Sequence, residues 1–316
     1  MIGCRDNHGG AQDRCACPHR CPRLLCLYLG KLLRSAEHLH HGRLMLTISS
    51  LSPEMVRGKR VLVTGSSTGI GEQMAYEFAW MGAHLMLTAR NETRLQKVVQ
   101  NCLKLGAASA SYVVSDMSDL ASARNVVEET KKVLGGLDLL VLNHVGGKIG
   151  FGPYQGDMES VISSMTVNFF SYVQVTVSAL SMLQESRGNI IVVSSICGRL
   201  PSPFSVPYAA SKAALEGFYS SLRTELRLRE INMPITVAVL GYIDTDSAMR
   251  SVEGKISMKP SSKELCAQAI VRGGVMRERE VFFPYWLTKP LMLLRDWLPG
   301  VVDQIMSNSY ILEKIL

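Results

Sequence analysis

The stretch KRVLVTGSSTGIG, Lys59–Gly71, decides how this chain folds. Lys59–Thr64 is a short apolar run of the kind that makes a buried strand, and it enters a turn in which Gly65, Gly69 and Gly71 are spaced G-x-x-x-G-x-G. Glycine lets backbone approach a pyrophosphate closely, and a helix that starts at such a turn presents free amides and the positive end of its dipole. Ser67, Thr68 and Ile70 fill the remaining turn positions, and a helix is predicted over Gly69–Gly82. A second strand, His84–Ala89, follows at the distance a dinucleotide-binding unit requires.

Outward from this unit the pattern repeats. Helices are expected at Glu92–Leu105, stopped by Gly106, and at Asp119–Leu134, stopped by Gly135 and Gly136. Further helices are expected over about 158–183 and 205–229, and strands at Ser109–Val114, Leu137–Asn143, Asn189–Ser195 and Ile235–Leu240. Short apolar strands separated by helices make βαβ units, and near-continuous runs such as Ile190–Val193 fit strands covered on both faces. The expected fold is α/β: a Rossmann-like, doubly wound parallel sheet in three α/β/α layers, formed by a single domain over residues 51–285.

The end of the second strand bears on which nicotinamide cofactor fits. An acid there would hold a ribose 2′-hydroxyl, whereas this strand ends in Ala89 and Arg90, and a guanidinium suits a 2′-phosphate. NADP(H) is therefore the expected cofactor, although Glu92 stands close by and Thr68 adds no second positive charge.

A second constellation lies downstream, in Ser195 and in YAASK, Tyr208–Lys212. Tyr208 and Lys212 are four residues apart, which on a helix puts them on one face. A free tyrosine titrates near 10, too high to act as a base at neutral pH. A nearby ammonium and an oxidised nicotinamide ring lower that value, while desolvation raises it. A serine hydroxyl delivered from a strand end holds the oxygen that gains or loses the proton. Together these residues describe alcohol/ketone oxidoreduction with general acid/base catalysis.

Bulk composition narrows the field further. At 316 residues and 47% hydrophobic, the chain supports a sizeable core. Of the net charge of +7, residues 1–50 carry the larger share, with seven Arg/Lys and three Asp/Glu, and no basic stripe interleaved with aromatics suggests nucleic acid. Cys15, Cys17, His19 and Cys21 are close in sequence but do not have the paired-ligand spacing of zinc modules, so no metal is expected. Cys102, Cys197 and Cys266 are expected to be reduced and packed. Residues 1–50 read as a disordered leader or alternative N-terminus. Their apolar stretch Leu24–Leu33 holds Lys31 and falls short of the roughly 20 residues a membrane span needs, so the compartment stays open. Residues 286–316 form an apolar, aromatic helical tail, which either packs on the domain or a second subunit or meets a membrane surface or the substrate entrance.

The glycine turn, Asn143-His144, Asn168, Ser195, Tyr208 and Lys212 resemble the short-chain dehydrogenase/reductase pattern over roughly residues 55–285. LDLLVLNH at 137–144, VNFFSYV at 167–173 and VLGYIDT at 239–245 are similar to its 11β-hydroxysteroid dehydrogenase branch, in which Leu240-Gly241 stands where most of the family has Pro-Gly. The resemblance implies Tyr208 as general acid/base, Lys212 as the residue that tunes it and holds the nicotinamide ribose, Ser195 as binder of the substrate oxygen, and Asn168 as holder of a relay water. It implies Asp116 and Met117 near the adenine, Asn143, His144, Val145 and Gly241 lining the cofactor, and Ile243 and Thr245 at the carboxamide and phosphate. The substrate implied is a steroid or other lipophilic alcohol or ketone, such as the cortisol/cortisone pair, with Leu200 and Tyr242 among the apolar residues that line its pocket or pack under a loop. A homodimer is implied as well. A broader carbonyl reductase of retinoids, sterols or xenobiotics and a catalytically idle NADPH-binding protein are the competing readings. The sequon at Asn91 falls beside the expected cofactor phosphate, where a glycan would obstruct binding, and is expected to be unused.

Overall fold

The computed structural model describes residues 51–147 and 151–316. The leader and its Cys/His cluster lie outside the described residues. Seven strands form one sheet: β1 Arg60–Thr64, β2 His84–Ala89, β3 Ser109–Val114, β4 Leu139–Leu142, β5 Asn189–Ser195, β6 Ile235–Leu240 and β7 Glu280–Phe283. Their order is β3-β2-β1-β4-β5-β6-β7, and every neighbouring pair is parallel. The chain runs outward from β1 to β3 and then returns to lay β4 on the other side of β1. The strand order reverses there, and a crevice opens at the carboxyl ends of β1 and β4.

The crossovers are α1 Gly69–Trp80, α2 Glu92–Leu105, α3 Leu120–Leu134, α4 Met158–Met165, α5 Ser171–Glu185, α6 Val206–Leu228, α7 Asp246–Val252 and α8 Lys263–Val275. Alternate strand residues face opposite layers. Val61, Val63, Leu85 and Leu87 pack with Phe78, Leu95 and Ile270 on one face. Leu62, Met86, Leu140 and Ile190 pack with Val126, Tyr172, Leu215 and Tyr219 on the other. This is the three-layer α/β/α fold expected from the sequence.

Local chemistry fixes the boundaries. α2 is capped by the Asn91 side chain, which accepts the Arg94 amide, and ends at Gly106 in the left-handed region. α3 begins on Asp119 and ends at Gly135, also left-handed. β4 is shorter than the expected Leu137–Asn143 because polar side chains claim both ends. Asp138 binds the Arg60 amide at 2.9 Å and its guanidinium at 2.8 Å, and the Asn143 amide donates to Thr64 Oγ1 at 2.9 Å. The helical stretch from Met158 is not continuous: Thr166–Phe170 forms a π-helical turn, and the Ser171 amide reaches back to the Thr166 carbonyl. Met158–Glu185 is long and apolar enough to cross a membrane, but half of it is buried in the core.

Beyond β7 the tail folds into α9 Tyr285–Trp297 and α10 Pro299–Asn308. One face of this pair packs on the domain: Thr288, Val302 and Met306 are buried, the last two against Leu200. The other face leaves Trp286 75% and Trp297 84% exposed, with Tyr285, Leu293 and Leu298 beside them.

Candidate active site

The loops at the carboxyl ends of β1, β4, β5 and β6 meet over the crevice. The glycine turn after β1 is built for close approach. Gly65 has φ 64°, and a side chain there would stand 2.6 Å from the His144 Cα. A Cβ on Gly71 would lie 2.2 Å from the Gly65 carbonyl oxygen and 2.5 Å from Asn143 Nδ2. Asn143 holds the turn from β4, donating from Nδ2 to the carbonyls of Thr64 (3.3 Å) and Gly65 (3.1 Å). Thr68, before α1, makes no side-chain cap bond, whereas α2, α3, α4, α7 and α8 are each capped by a side chain. The first-turn amides of α1 therefore face the crevice without a capping side chain to accept from them. A cradle with no room for side chains and an uncapped helix start fit a dinucleotide pyrophosphate.

The rim of the cradle bears on 2′-phosphate recognition. Arg90 is exposed at the end of β2, and its charge helps hold the Asp116 carboxyl below the usual range, after the larger effect of the Ser118 amide bond. Glu92, the acid that argued for NAD, accepts a hydrogen bond from the Tyr112 hydroxyl at 3.0 Å. Met117 is buried under this rim and Ala89 half-buried at it. Val145 is exposed next to the buried His144. On the opposite side, Thr245 caps α7 and lies against Gly69, and Ile243 is buried and bridged to Ser261. Gly241 packs under Pro284 and Thr288, where the tail begins.

Ser195 is the last residue of β5. Its Oγ accepts the Cys197 amide at 3.2 Å and donates to the Leu240 carbonyl at 3.4 Å, and its nearness lowers the Tyr208 phenol. Tyr208 and Lys212 point inward from one face of α6, with Lys212 Nζ 5.7 Å from the Tyr208 ring centre and 5.2 Å from that of Tyr172. Lys212 donates to the Val193 carbonyl at 2.9 Å. Desolvation decides the charge states. It raises the Tyr208 phenol, against the lowering effect of Ser195, and it pushes the Lys212 amine down to about 8. Burial, followed by Cys197, governs Tyr208, so the phenol is an acid at neutral pH and Lys212 carries its proton there.

Asn168 sits buried in the π-helical turn with its carboxamide closed on Gly146, accepting the amide and donating to the carbonyl at 3.0 Å each. His144 is buried between Thr64 Oγ1 (Nδ1, 2.9 Å) and Ser171 Oγ (Nε2, 2.6 Å). Desolvation and Lys212 push its imidazole down to about 3, so the ring is neutral. A neutral ring has one N–H, so one of the two hydroxyls donates into the ring instead of to the Val141 or Val167 carbonyl.

Among the substrate candidates, Tyr242 donates to Met249 Sδ at 3.1 Å, and Leu200 is buried under α10. The structure adds Tyr310, which the sequence did not suggest, to two aromatic residues of the expected pocket walls, 146–154 and 196–207. Phe151, Phe204 and Tyr310 lie with ring centres 5.4 to 6.1 Å apart, and Tyr310 is held by pairing of the tail with residues 255–257. Also unforeseen were Ser171 and Tyr172 around His144, and the ion group of Arg199, Glu216 and Glu280. Only Glu216 left a trace in the sequence, its spacing of four from Lys212.

A family model described as short chain dehydrogenase matches residues 59–255. "Hydroxysteroid 11-beta-dehydrogenase 1-like protein A" of Xenopus laevis is 60% identical over 266 residues, 84% of this chain and 91% of that protein. A protein of Danio rerio named "Hydroxysteroid 11-beta-dehydrogenase 1-like protein" is 44% identical over 264 residues, 83% of this chain and 90% of its own. Among solved structures, a short chain dehydrogenase from Burkholderia cenocepacia in complex with NADP superposes with a TM-score of 0.64 at 28% identity, covering 72% of this chain and 97% of that one.

Proposed function

This chain belongs to the short-chain dehydrogenase family, and from that premise we propose that it is an NADP(H)-dependent oxidoreductase interconverting a hydroxyl and a ketone on a steroid, with the 11β-hydroxy/11-keto pair as the first substrate class to test. The observation that carries this reading is the meeting of Ser195, Tyr208 and Lys212 beside the glycine cradle. The names of the Xenopus and zebrafish relatives support the steroid. The NADP of the Burkholderia relative and the free position of Arg90 support the cofactor.

The cradle of Gly65, Gly69 and Gly71, with Asn143, Thr245 and Arg90 around it, would hold the nicotinamide cofactor, which supplies or accepts hydride at the carbinol carbon. In the reductive direction Ser195 Oγ holds the carbonyl oxygen. Tyr208 gives that oxygen its proton as negative charge develops on it, a transfer its raised phenol is poised for in the protonated state. The ammonium of Lys212 stabilises the phenolate left behind. Asn168 fixes the chain after β4 at Gly146. The oxidative direction runs the same transfers in reverse.

The test is nicotinamide absorbance with purified protein, cortisol or cortisone, and each of NADP(H) and NAD(H). Turnover with NADP(H) is expected. Tight NADPH binding without turnover of either steroid would discard the 11β assignment in favour of a broader carbonyl reductase, or of an idle binder if a panel of lipid carbonyls is also refused. Arg90 has its own expected signature. Losing a charge-assisted contact to a 2′-phosphate is worth about 1.5–3 kcal/mol, so Arg90→Ala should weaken NADPH roughly 10- to 150-fold and leave NADH almost unchanged. Equal weakening of both cofactors would show that Arg90 does not read the 2′-phosphate.

A further inference from the structure

We propose that Glu216 is a positioning residue of this site: paired with Arg199, it locks the Ser195 turn onto α6 and sets the charge that Lys212 faces. The inference rests on the reading of Lys212 as the partner of Tyr208. Tyr208, Lys212 and Glu216 stand at i, i+4 and i+8, on one face of α6. Glu216 Oε2 accepts Arg199 Nη2 at 2.5 Å, and the same nitrogen reaches Glu280 Oε1 at 2.6 Å, with all three side chains largely buried.

Arg199 lies four residues after Ser195, and its amide closes the intervening turn on the Ile196 carbonyl. That turn is pressed against the catalytic helix: a Cβ on Gly198 would stand 2.7 Å from the Lys212 carbonyl carbon. The Arg199 carbonyl is in turn held by the Arg295 guanidinium of α9, and its own guanidinium lies 5.7 Å from the Phe282 ring centre. The pair therefore fastens the segment that carries Ser195 to the segment that carries Tyr208. Small errors in that spacing are costly for proton transfer.

The second role is electrostatic. Glu216 Oε1 is buried and has no hydrogen-bond partner among the described residues, and Oε2 pairs with Arg199. The groups facing Lys212 are Tyr208 and Glu216 from α6, Cys197 from the Ser195 turn, Tyr172 from α5 and His144 from the loop after β4. Glu216 is the one carboxylate among these, and it opposes the burial that lowers the Lys212 amine. Arg223, Arg279 and Glu280 complete the charges around Glu216 and Arg199. Neutralising Glu216 removes the anion and frees the Arg199 cation from its partner on α6, so Lys212 loses its proton at lower pH. Removing Arg199 instead leaves Glu216 unscreened and has the opposite sign.

The experiment is the titration of Lys212, followed by its 13Cε chemical shift in 13C-lysine-labelled full-length protein and assigned by the signal lost in Lys212→Arg. The midpoint should fall by about one pH unit in Glu216→Gln, stay near wild type in Glu216→Asp, and rise in Arg199→Met. The alkaline limb of kcat/KM should move with it, while a merely mechanical tie would lower the plateau and leave the limb in place. An unmoved Lys212 midpoint in Glu216→Gln overturns the proposal. Should that variant not fold, an unmoved midpoint in Arg199→Met does the same. The titration needs no steroid. A wild type that titrates as expected yet turns over no steroid would count against the substrate reading alone.

Discussion

Tyr208→Phe should lose nearly all turnover while keeping its fold and its cofactor. The substitution removes one oxygen, and the ring keeps its place on α6 under Lys212. Ser195 retains both of its other partners, the Cys197 amide and the Leu240 carbonyl, so no buried polar group is orphaned. The loss falls on proton transfer, for which positioned acid–base groups contribute about a hundred- to ten-thousand-fold, and kcat should drop by that factor in both directions. Cofactor affinity, measured by nicotinamide fluorescence, should hold, because the cradle of Gly65 and Gly71 owes nothing to the phenol oxygen. A variant with more than about a tenth of wild-type kcat would lie outside that range and remove Tyr208 from the acid–base role.

Gly71→Ala should be damaging out of proportion to one methyl group. In an ordinary helix the change would favour folding by up to about 1 kcal/mol. Here the added carbon would meet the Gly65 carbonyl oxygen at 2.2 Å and Asn143 Nδ2 at 2.5 Å. Neither neighbour is the free end of a flexible chain: one is backbone, and the other is tied to the carbonyls of Thr64 and Gly65. Overpacking of this kind costs about 1–3 kcal/mol and so outweighs the gain in helix propensity. Set against that gain, a net loss of about 1–2 kcal/mol corresponds, for a domain of this size, to a Tm lower by roughly 2–8 °C. Relief of the clash moves the Gly65 loop away from the start of α1, so NADPH affinity should fall more than about tenfold, a loss of at least 1.4 kcal/mol. Calorimetry and a binding titration on the same preparation check both. Wild-type values in each would mean that the cradle is not as tight as described.

Much of the site was readable in one dimension because its parts are local. The glycine turn, the end of β2 at Arg90 and the four-residue step from Tyr208 to Lys212 are each set by spacing along a single strand–turn–helix unit, and such spacings survive folding unchanged. The sheet was readable for a similar reason, since strands buried on both faces leave uninterrupted apolar runs such as Ile190–Val193. The four-residue strand Glu280–Phe283 was not expected from the sequence, since its short aromatic run merges with the apolar tail that follows it, and neither were the helices Asp246–Val252 and Lys263–Val275.

The sequence alone determined the α/β class, six of the seven strands, the glycine turn after the first strand and the shared helix face of Tyr208 and Lys212, because backbone geometry and helical periodicity suffice to specify them. Tertiary structure alone decided the charge on that pair. How much water the fold removes from these two groups is not written in their spacing, and burial raises the phenol and lowers the amine to about 8. It alone brought Glu280, eighty-one residues away, onto Arg199, and laid Tyr310 of the tail against Phe151 and Phe204. No spacing encodes such contacts. They follow from which faces of the sheet and its helices are pressed together, and that is settled only when the apolar surface of the whole domain is buried at once.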